Sequence, residues 1–105
     1  MKKKAIIVAR YIKKHGVLPD CYISKEEAKS IGWRGGAIEA LLPGYLIGGS
    51  RFHNYESKLP EDDYYECDLG TLGKSTRGKY RLVYSIDKFY YTSDHYQTFE
   101  EINLS

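Results

Sequence analysis

The stretch YRLVYSIDKFYYTSDHYQTFEEI, residues 80–102, predicts half of a β-sheet. Aromatic and β-branched residues recur in three short runs, and polar clusters such as Thr92-Ser93-Asp94 separate them. Runs of this kind with polar breaks are typical of strands joined by tight turns. We therefore predict three consecutive strands in a meander, with His95 at the tip of the last turn. Two earlier runs, YLIGGSRF (45–52) and DYYECDL (63–69), predict two more strands.

Helical patterns precede the strands. The segment MKKKAIIVARYIKKHG (1–16) predicts an amphipathic helix that ends at Gly16. Its predicted apolar face consists of Ile6, Ile7, Val8, Tyr11 and Ile12.

A second helix is predicted where Ser24 and Glu27 form a capping box, and it stops at Gly32 with Trp33 behind it. The segment GGAIEALLPG (35–44) predicts a third, short helical piece. Helices followed by a run of strands indicate the α+β class. The sequence thus predicts N-terminal helices packed on a single antiparallel β-sheet meander, in one domain spanning 1–105.

Composition restricts the function classes. The net charge of +2, from 16 basic and 14 acidic residues, does not by itself indicate a polyanionic partner. Eleven tyrosines suit a wet site where rings pack, donate hydrogen bonds or stack on bases, although a tyrosine-rich sheet surface explains most of them equally well. No segment is long enough to span a membrane, and no membrane partner is expected. The apolar run AIIVA is shorter than the core of a signal peptide.

The cysteines give no sign of a metal site. Cys21 and Cys67 lack the spacing of metal ligands, and a count of two does not establish a disulfide. We expect free thiols and no cofactor or metal.

Strand alternation places charged residues together. In YYECDL, Tyr64, Glu66 and Asp68 share one face, which we expect to leave the core, while Tyr65, Cys67 and Leu69 take the apolar face.

In TRGKYRLVYSI, Arg77 and Arg81 are expected to face the same way as a phosphate clamp, with Leu82, Tyr84 and Ile86 pointing inward. Each feature alone fits a solvated salt-bridge face, and an isolated histidine in a turn is commonly a surface residue. Together, a glutamate, paired arginines and a histidine are the groups needed for acid–base cleavage of a phosphodiester.

Several ordered motifs carry a family resemblance. They are LPDCYISKEEAKSIGW, PGYLIGG, RFHNYESKLP, the E-x-D of YYECDL, TRGKYRLVYS and TSDHYQTF. Over 11–99 the sequence resembles the microbial guanyl-preferring ribonucleases, and most closely their bacterial, barnase-like branch. The resemblance implies the microbial ribonuclease fold and cleavage of single-stranded RNA, preferentially 3′ of guanosine, without a metal.

The resemblance also implies roles for the charged residues. Glu66 is expected to be the general base that activates the ribose 2′-hydroxyl, and His95 the general acid that protonates the leaving 5′-oxygen. Arg77, Arg81 and Lys25 are expected to stabilise charge on the phosphorane. Asp68 either holds the arginines in position or is purely structural.

Base recognition is implied for the loop in RFHNYES. The expected substrate-binding residues are Phe52, His53, Asn54, Tyr55, Glu56 and Tyr96. Glu56 would accept from the NH edge of guanine, and Tyr96 would pack against the nucleotide. Tyr55 departs from the bacterial branch, which has an arginine there, and matches the fungal "NYE", whose tyrosine ring lies over the base. Ser50 replaces an aspartate of the bacterial branch, and the sequence offers no reason.

The resemblance has biological implications as well. A small acidic inhibitor or immunity protein resembling barstar is the expected protein partner, and a monomer is expected. Because this chain shows no signal peptide, we expect a mature or excised domain of either a secreted enzyme or a toxin delivered into target cells. The alternative function is a non-catalytic RNA-binding domain of the same fold.

Overall fold

A computed structural model describes residues 1–104 and places helices before strands. Within these residues it contains the helices α1 (Lys2–His15) and α2 (Lys25–Ser30), a 3₁₀ helix at Ile38–Ala40, and the strands β1 (Tyr22–Ile23), β2 (Leu46–Phe52), β3 (Tyr64–Asp68), β4 (Arg81–Tyr84), β5 (Phe89–Thr92) and β6 (Glu100–Glu101). The predicted α+β class is confirmed.

The strands form one sheet in the order β1-β2-β3-β4-β5-β6. The pairs from β2 to β6 are antiparallel, as the meander predicted. The pair of β1 with β2 is parallel, with Tyr22 opposite Leu46. Sequence analysis missed β1 because two residues carry no readable periodicity. The last predicted strand is also shorter than expected, since only Glu100–Glu101 pairs with β5.

Helix α1 packs on one face of the sheet through small residues. Its buried residues are Ala5, Ala9 and Ile12, and Gly16 ends it in the left-handed conformation, as predicted. The predicted apolar face was wrong in part, because Ile7 is 67% exposed. Alanines let the helix backbone approach the sheet closely, so the larger aliphatic residues lie at the edges of the contact or outside it.

Helix α2 and the 3₁₀ helix cover the start of β2. Ser24 Oγ accepts a hydrogen bond from the backbone NH of Glu27, which confirms the N-terminal cap. The helix ends at Ser30, and Gly32 follows with a φ of 104°. Ala28, Ile38 and Ile47 form a small core here, against which Trp33 packs.

Both faces of β3 are covered, which corrects a prediction. Cys67 and Leu69 pack under α1, as expected for the apolar face, but Tyr65, predicted for the same face, is 40% exposed. Tyr64 and Asp68 were expected to leave the core, yet they are 0% and 1% exposed. Tyr64 packs into a second cluster formed by Leu59, Val83 and Tyr90, with Phe52, Tyr96 and Phe99 at its border.

Two further observations concern the turns and the cysteines. Ile86, predicted to point inward, is 94% exposed because it lies in the turn between β4 and β5. Cys21 and Cys67 are free thiols, as expected, and burial raises the pKa of Cys67 well above its usual range. Among residues 1–104, no helix has the length and apolar character needed to cross a membrane.

Candidate active site

The candidate site lies on the sheet face opposite α1. Side chains alternate along β3, so Glu66 points away from the face that Cys67 contributes to α1. Across the sheet, Glu66 is opposite Ser50 on one side and Val83 on the other. Asp68 is opposite Arg81, and Arg81 is opposite Thr92. The sheet register therefore places the predicted base beside a row of polar residues.

Asp68 is the centre of a buried ion-pair cluster. Arg77 donates from Nε to Oδ2 and from Nη2 to Oδ1 of Asp68, both at 2.8 Å. Arg81 Nε lies 3.1 Å from Oδ1 at ion-pair distance, without hydrogen-bond alignment. The hydrogen bonds from Arg77 to Asp68 raise the pKa of the Arg77 guanidinium above its usual range. The predicted pairing of Asp68 with both arginines is confirmed.

The two arginines differ in access. The side chain of Arg77 is 22% exposed and that of Arg81 only 3%. Arg81 also donates from Nη1 to the backbone carbonyls of Arg77 and Tyr80, which fixes the segment between them. Arg77 lies with its guanidinium 6.0 Å from the ring centre of Trp33, just after α2. Lys25 is the first residue of α2 and is half-buried.

His95 and Tyr96 occupy an unusual turn. Their φ angles are 54° and 73°, a left-handed conformation that costs about 1 to 3 kcal/mol for each residue other than glycine. The backbone NH of Tyr96 donates to Thr92 Oγ1, and that of His95 donates to the carbonyl of Lys79. Lys58 Nζ donates to the carbonyls of Tyr96 and Gln97, at 3.3 and 2.9 Å. These bonds hold the exposed imidazole of His95 at the tip of the turn, where it was predicted.

Asp94 supports the same turn from within. It accepts from the backbone NH of Thr98 at 2.9 Å and from its hydroxyl at 2.6 Å, and Thr92 Oγ1 donates to it. These bonds lower the pKa of Asp94 to about 2. Sequence analysis missed Asp94, Thr92 and Lys58. A side chain that caps backbone NH groups in a Thr-Ser-Asp turn was a readable signal for the first two.

Tyr96 connects the turn to the candidate base. Its hydroxyl donates a hydrogen bond to Oε1 of Glu66, and the Arg81 guanidinium lies 6.0 Å from the centre of its ring. Burial, followed by the bond to Glu66, raises the pKa of Tyr96 above its usual range. The Tyr96 ring stacks on Phe52 with centroids 5.4 Å apart. Tyr96 thus bridges Glu66 and the start of the predicted guanine loop.

That loop follows β2 and encloses a cleft. Asn54 fixes the loop because its amide donates to the carbonyl of Leu59 and its oxygen accepts from the NH of Leu59. Tyr55 is 86% exposed and stacks on His53, with centroids 5.2 Å apart. Glu56 is exposed and lies 3.3 Å from Lys58 Nζ. The cleft has a volume of about 200 Å³ and is lined by the loop together with Tyr96 and Phe99.

Comparison with known proteins identifies the family of this chain. The family model described as ribonuclease matches residues 7–103. The chain belongs to the microbial ribonuclease family. A ribonuclease of Heyndrickxia coagulans is 40% identical over 101 residues, which cover 90% of this ribonuclease and 92% of the relative. The resemblance noted from the sequence motifs is confirmed, and the protein is an endoribonuclease that cleaves RNA.

Two other relatives show how far the similarity extends. A ribonuclease of Bacillus intermedius is 40% identical over 101 residues, and the match covers 62% of that protein. The guanyl-specific ribonuclease Sa of Kitasatospora aureofaciens is 39% identical over 64 residues, which cover 56% of this ribonuclease and 67% of the relative.

The structure brings most of the predicted residues of this ribonuclease into one region. Glu66, Arg77 and Arg81 are linked through Asp68 and Tyr96, and Phe52 joins the guanine loop to Tyr96. His95 follows directly through its ring contact with Tyr96, at 4.7 Å between centroids. Lys25 stands apart from this network, because its ammonium group has no ion-pair partner in residues 1–104.

Proposed function

We propose that this ribonuclease cleaves single-stranded RNA, preferentially 3′ of guanosine, in two steps. Glu66 removes the proton of the ribose 2′-hydroxyl, and the 2′-oxygen attacks the adjacent phosphorus. His95 protonates the departing 5′-oxygen, which leaves a 2′,3′-cyclic phosphate. In the second step the two groups exchange roles, and water opens the ring.

The observation that carries the proposal is the bond of Tyr96 to Glu66. It joins the proposed base to the turn that bears the proposed acid, across two separate parts of the chain. The bond uses Oε1 of Glu66, so Oε2 is the oxygen that we assign to the 2′-hydroxyl. We infer that the base, the acid and the cationic cluster act on one phosphodiester group bound on the sheet face opposite α1.

We assign the stabilisation of negative charge on the phosphorane mainly to Arg77. Its side chain is more open than that of Arg81, and Asp68 holds it by two hydrogen bonds in a fixed orientation. Preorganised donors of this kind contribute about 3 to 4 kcal/mol each to the transition state. Arg81 is buried and acts through its field and by fixing Arg77. Lys25, in the first turn of α2, is assigned the same role by the family resemblance alone.

Substitution of the two proposed acid–base groups tests the chemistry. We expect Glu66→Gln and His95→Ala each to lower kcat on a guanine-containing RNA by about 100-fold to 10,000-fold. The matched controls, Glu61→Gln and His15→Ala, change an exposed carboxylate and an exposed imidazole elsewhere and should leave kcat unchanged. The rate of transfer should be bell-shaped in pH, since one group must be ionised and the other protonated.

The products distinguish the enzyme from the alternative function. RNA incubated with the wild-type protein in chelator should acquire 2′,3′-cyclic phosphate ends. Retention of intact RNA without cleavage would support a binding domain of the same fold. Near-normal turnover in either active-site variant would remove that residue from the mechanism.

Guanine preference is assigned to two neighbouring residues with different roles. We propose that Tyr55 leaves His53 and stacks on the base, which is worth roughly 1 to 3 kcal/mol for any base. Glu56 accepts from the NH groups that guanine presents, so its loss leaves that edge unpaired. The exposure of both side chains at the mouth of the cleft supports this assignment.

Dinucleotide substrates separate these roles. Tyr55→Ala should lower kcat/KM on guanine and adenine substrates alike, and Tyr55→Phe should be nearly silent. Glu56→Ala should collapse the ratio between guanine and adenine. If Tyr55→Ala erases that ratio and Glu56→Ala preserves it, the two roles are exchanged.

The biological setting that we propose is a monomer secreted by its cell or delivered into a target cell. An uninhibited ribonuclease would degrade the RNA of the cell that makes it, so we also propose a small acidic, barstar-like inhibitor that covers the phosphate site. Such an inhibitor should compete with RNA, and Arg77→Gln should weaken it mainly through faster dissociation. Equal inhibitor affinity for the wild type and Arg77→Gln would place the contact elsewhere.

A further inference from the structure

The outer face of α1 is strongly basic. No acidic residue precedes Asp20, and the helix carries six exposed lysine and arginine side chains. They are Lys2, Lys3, Lys4, Arg10, Lys13 and Lys14. Within residues 1–104, only Lys2 of this set has an ion-pair partner, Glu100. The rest of the chain carries all 14 acidic residues, so the small net charge of +2 conceals a marked segregation of charge.

The centre of this face combines cations with an aliphatic residue. Lys3, Ile7, Arg10 and Lys14 follow one another at helical spacing, on the side opposite the buried residues of the helix. Ile7 is 67% exposed, and Val17 beyond the helix end is 62% exposed. Exposed aliphatic side chains among cations suit the boundary between lipid headgroups and acyl chains.

The position of α1 separates this face from the proposed chemistry. The helix lies over the sheet face formed by Cys67 and Leu82, while Glu66 belongs to the opposite face. A planar surface that binds α1 therefore leaves the cleft open to solution. RNA held in the cleft lies on the other side of the sheet from the basic stripe.

We propose that the outer face of α1 docks on an anionic lipid surface. The sequence predicted no membrane partner because no segment spans a bilayer, but a helix that lies in the interface needs no spanning segment. The five unpaired cations attract anionic headgroups, and Ile7 contacts the acyl boundary.

Vesicle sedimentation tests the docking. The full chain should bind phosphatidylcholine vesicles only when phosphatidylserine is included, and the binding should fall with added salt. Each cation near the surface contributes about fivefold, so a triple glutamine variant of the stripe should bind on the order of 100-fold more weakly. The stripe variant is Lys3→Gln/Arg10→Gln/Lys14→Gln. A control variant with the same change in net charge should keep near wild-type binding: Lys29→Gln/Arg34→Gln/Lys74→Gln. Ile7→Ser should weaken binding several-fold further.

Cleavage of a guanine dinucleotide reports whether each stripe variant is folded. The proposal is overturned if the wild type does not bind phosphatidylserine vesicles. Equal losses in the stripe and control variants would overturn it too, since net charge alone would then explain binding. If the stripe variant loses kcat/KM on long RNA but not on the dinucleotide, and vesicles do not bind, the partner of this face is RNA.

Discussion

The hydroxyl of Tyr96 provides a sharp test of the proposed base. Tyr96→Phe removes the donor to Oε1 of Glu66 and keeps the ring that stacks on Phe52. A hydrogen bond to a charged acceptor contributes about 1.5 to 3 kcal/mol, and about 1.4 kcal/mol corresponds to a tenfold change in rate. Because the bond fixes the carboxylate of Glu66 and leaves Oε2 for the 2′-hydroxyl, its loss should lower kcat by about 10-fold to 150-fold.

The assay measures kcat and KM on a guanine dinucleotide at neutral pH. Tyr96→Phe should lower kcat and keep KM within about threefold of the wild type, because the ring expected to pack against the nucleotide is retained. Tyr96→Leu is the comparison variant, since it loses the bond and the ring together and should also raise KM, by a stacking contribution of about 1 to 3 kcal/mol. Equal kcat values for the wild type and Tyr96→Phe would refute the assignment of Glu66 or the importance of the bond.

Three further predictions concern stability. Asp68→Asn should lower the free energy of unfolding, measured in urea, by about 3 to 5 kcal/mol, because it leaves Arg81 charged and buried. Asp63→Asn, which breaks a surface ion pair with Arg51, should cost less than about 1 kcal/mol, and similar losses in the two variants would contradict the importance of the buried ion pairs. Asp94→Asn should be less stable than the wild type above pH 4, and the difference in the free energy of unfolding should vanish as the pH falls to about 2, because the pKa of Asp94 is about 2 in the folded protein and 3.8 in the unfolded chain. A difference that does not change with pH would show that the charge of Asp94 is not its cause. Ser50→Ala should leave the free energy of unfolding unchanged or raise it by about 1 kcal/mol, because Ser50 Oγ is buried without a hydrogen-bond partner. A loss above about 1 kcal/mol would show that the hydroxyl makes a stabilising hydrogen bond.

Local patterns predicted the elements better than their environments. The helix of residues 1–16, the capped start at Ser24 and the five main strands follow from periodicity and end signals. Alternation also placed Glu66 and Asp68 on one face. It did not show that this face is covered, because the covering side chains come from loops with no periodicity, such as Leu59 and Phe99.

The sequence motifs predicted the site residues but not the side chains that hold those residues in place. Glu66, Arg77 and His95 stand in recognisable segments of the sequence. The bonds of Lys58 to the turn of Tyr96, and of Tyr96 to Glu66, join distant parts of the chain. Such contacts depend on how the loops fold over the sheet, and a short segment of sequence does not indicate this. The unpartnered hydroxyl of Ser50 is likewise visible only in three dimensions.

Cys67, next to Glu66 on β3, can report when this part of the sheet becomes exposed to solvent. Cys67 is 1% exposed under α1, and its raised pKa keeps it protonated and unreactive in the folded protein. A thiol-labelling reagent therefore reaches Cys67 only when α1 separates from the sheet or the sheet unfolds. Cys21→Ser removes the more accessible thiol. In that variant, the rate at which Cys67 is labelled measures the free energy of opening on β3, the strand that also bears Glu66.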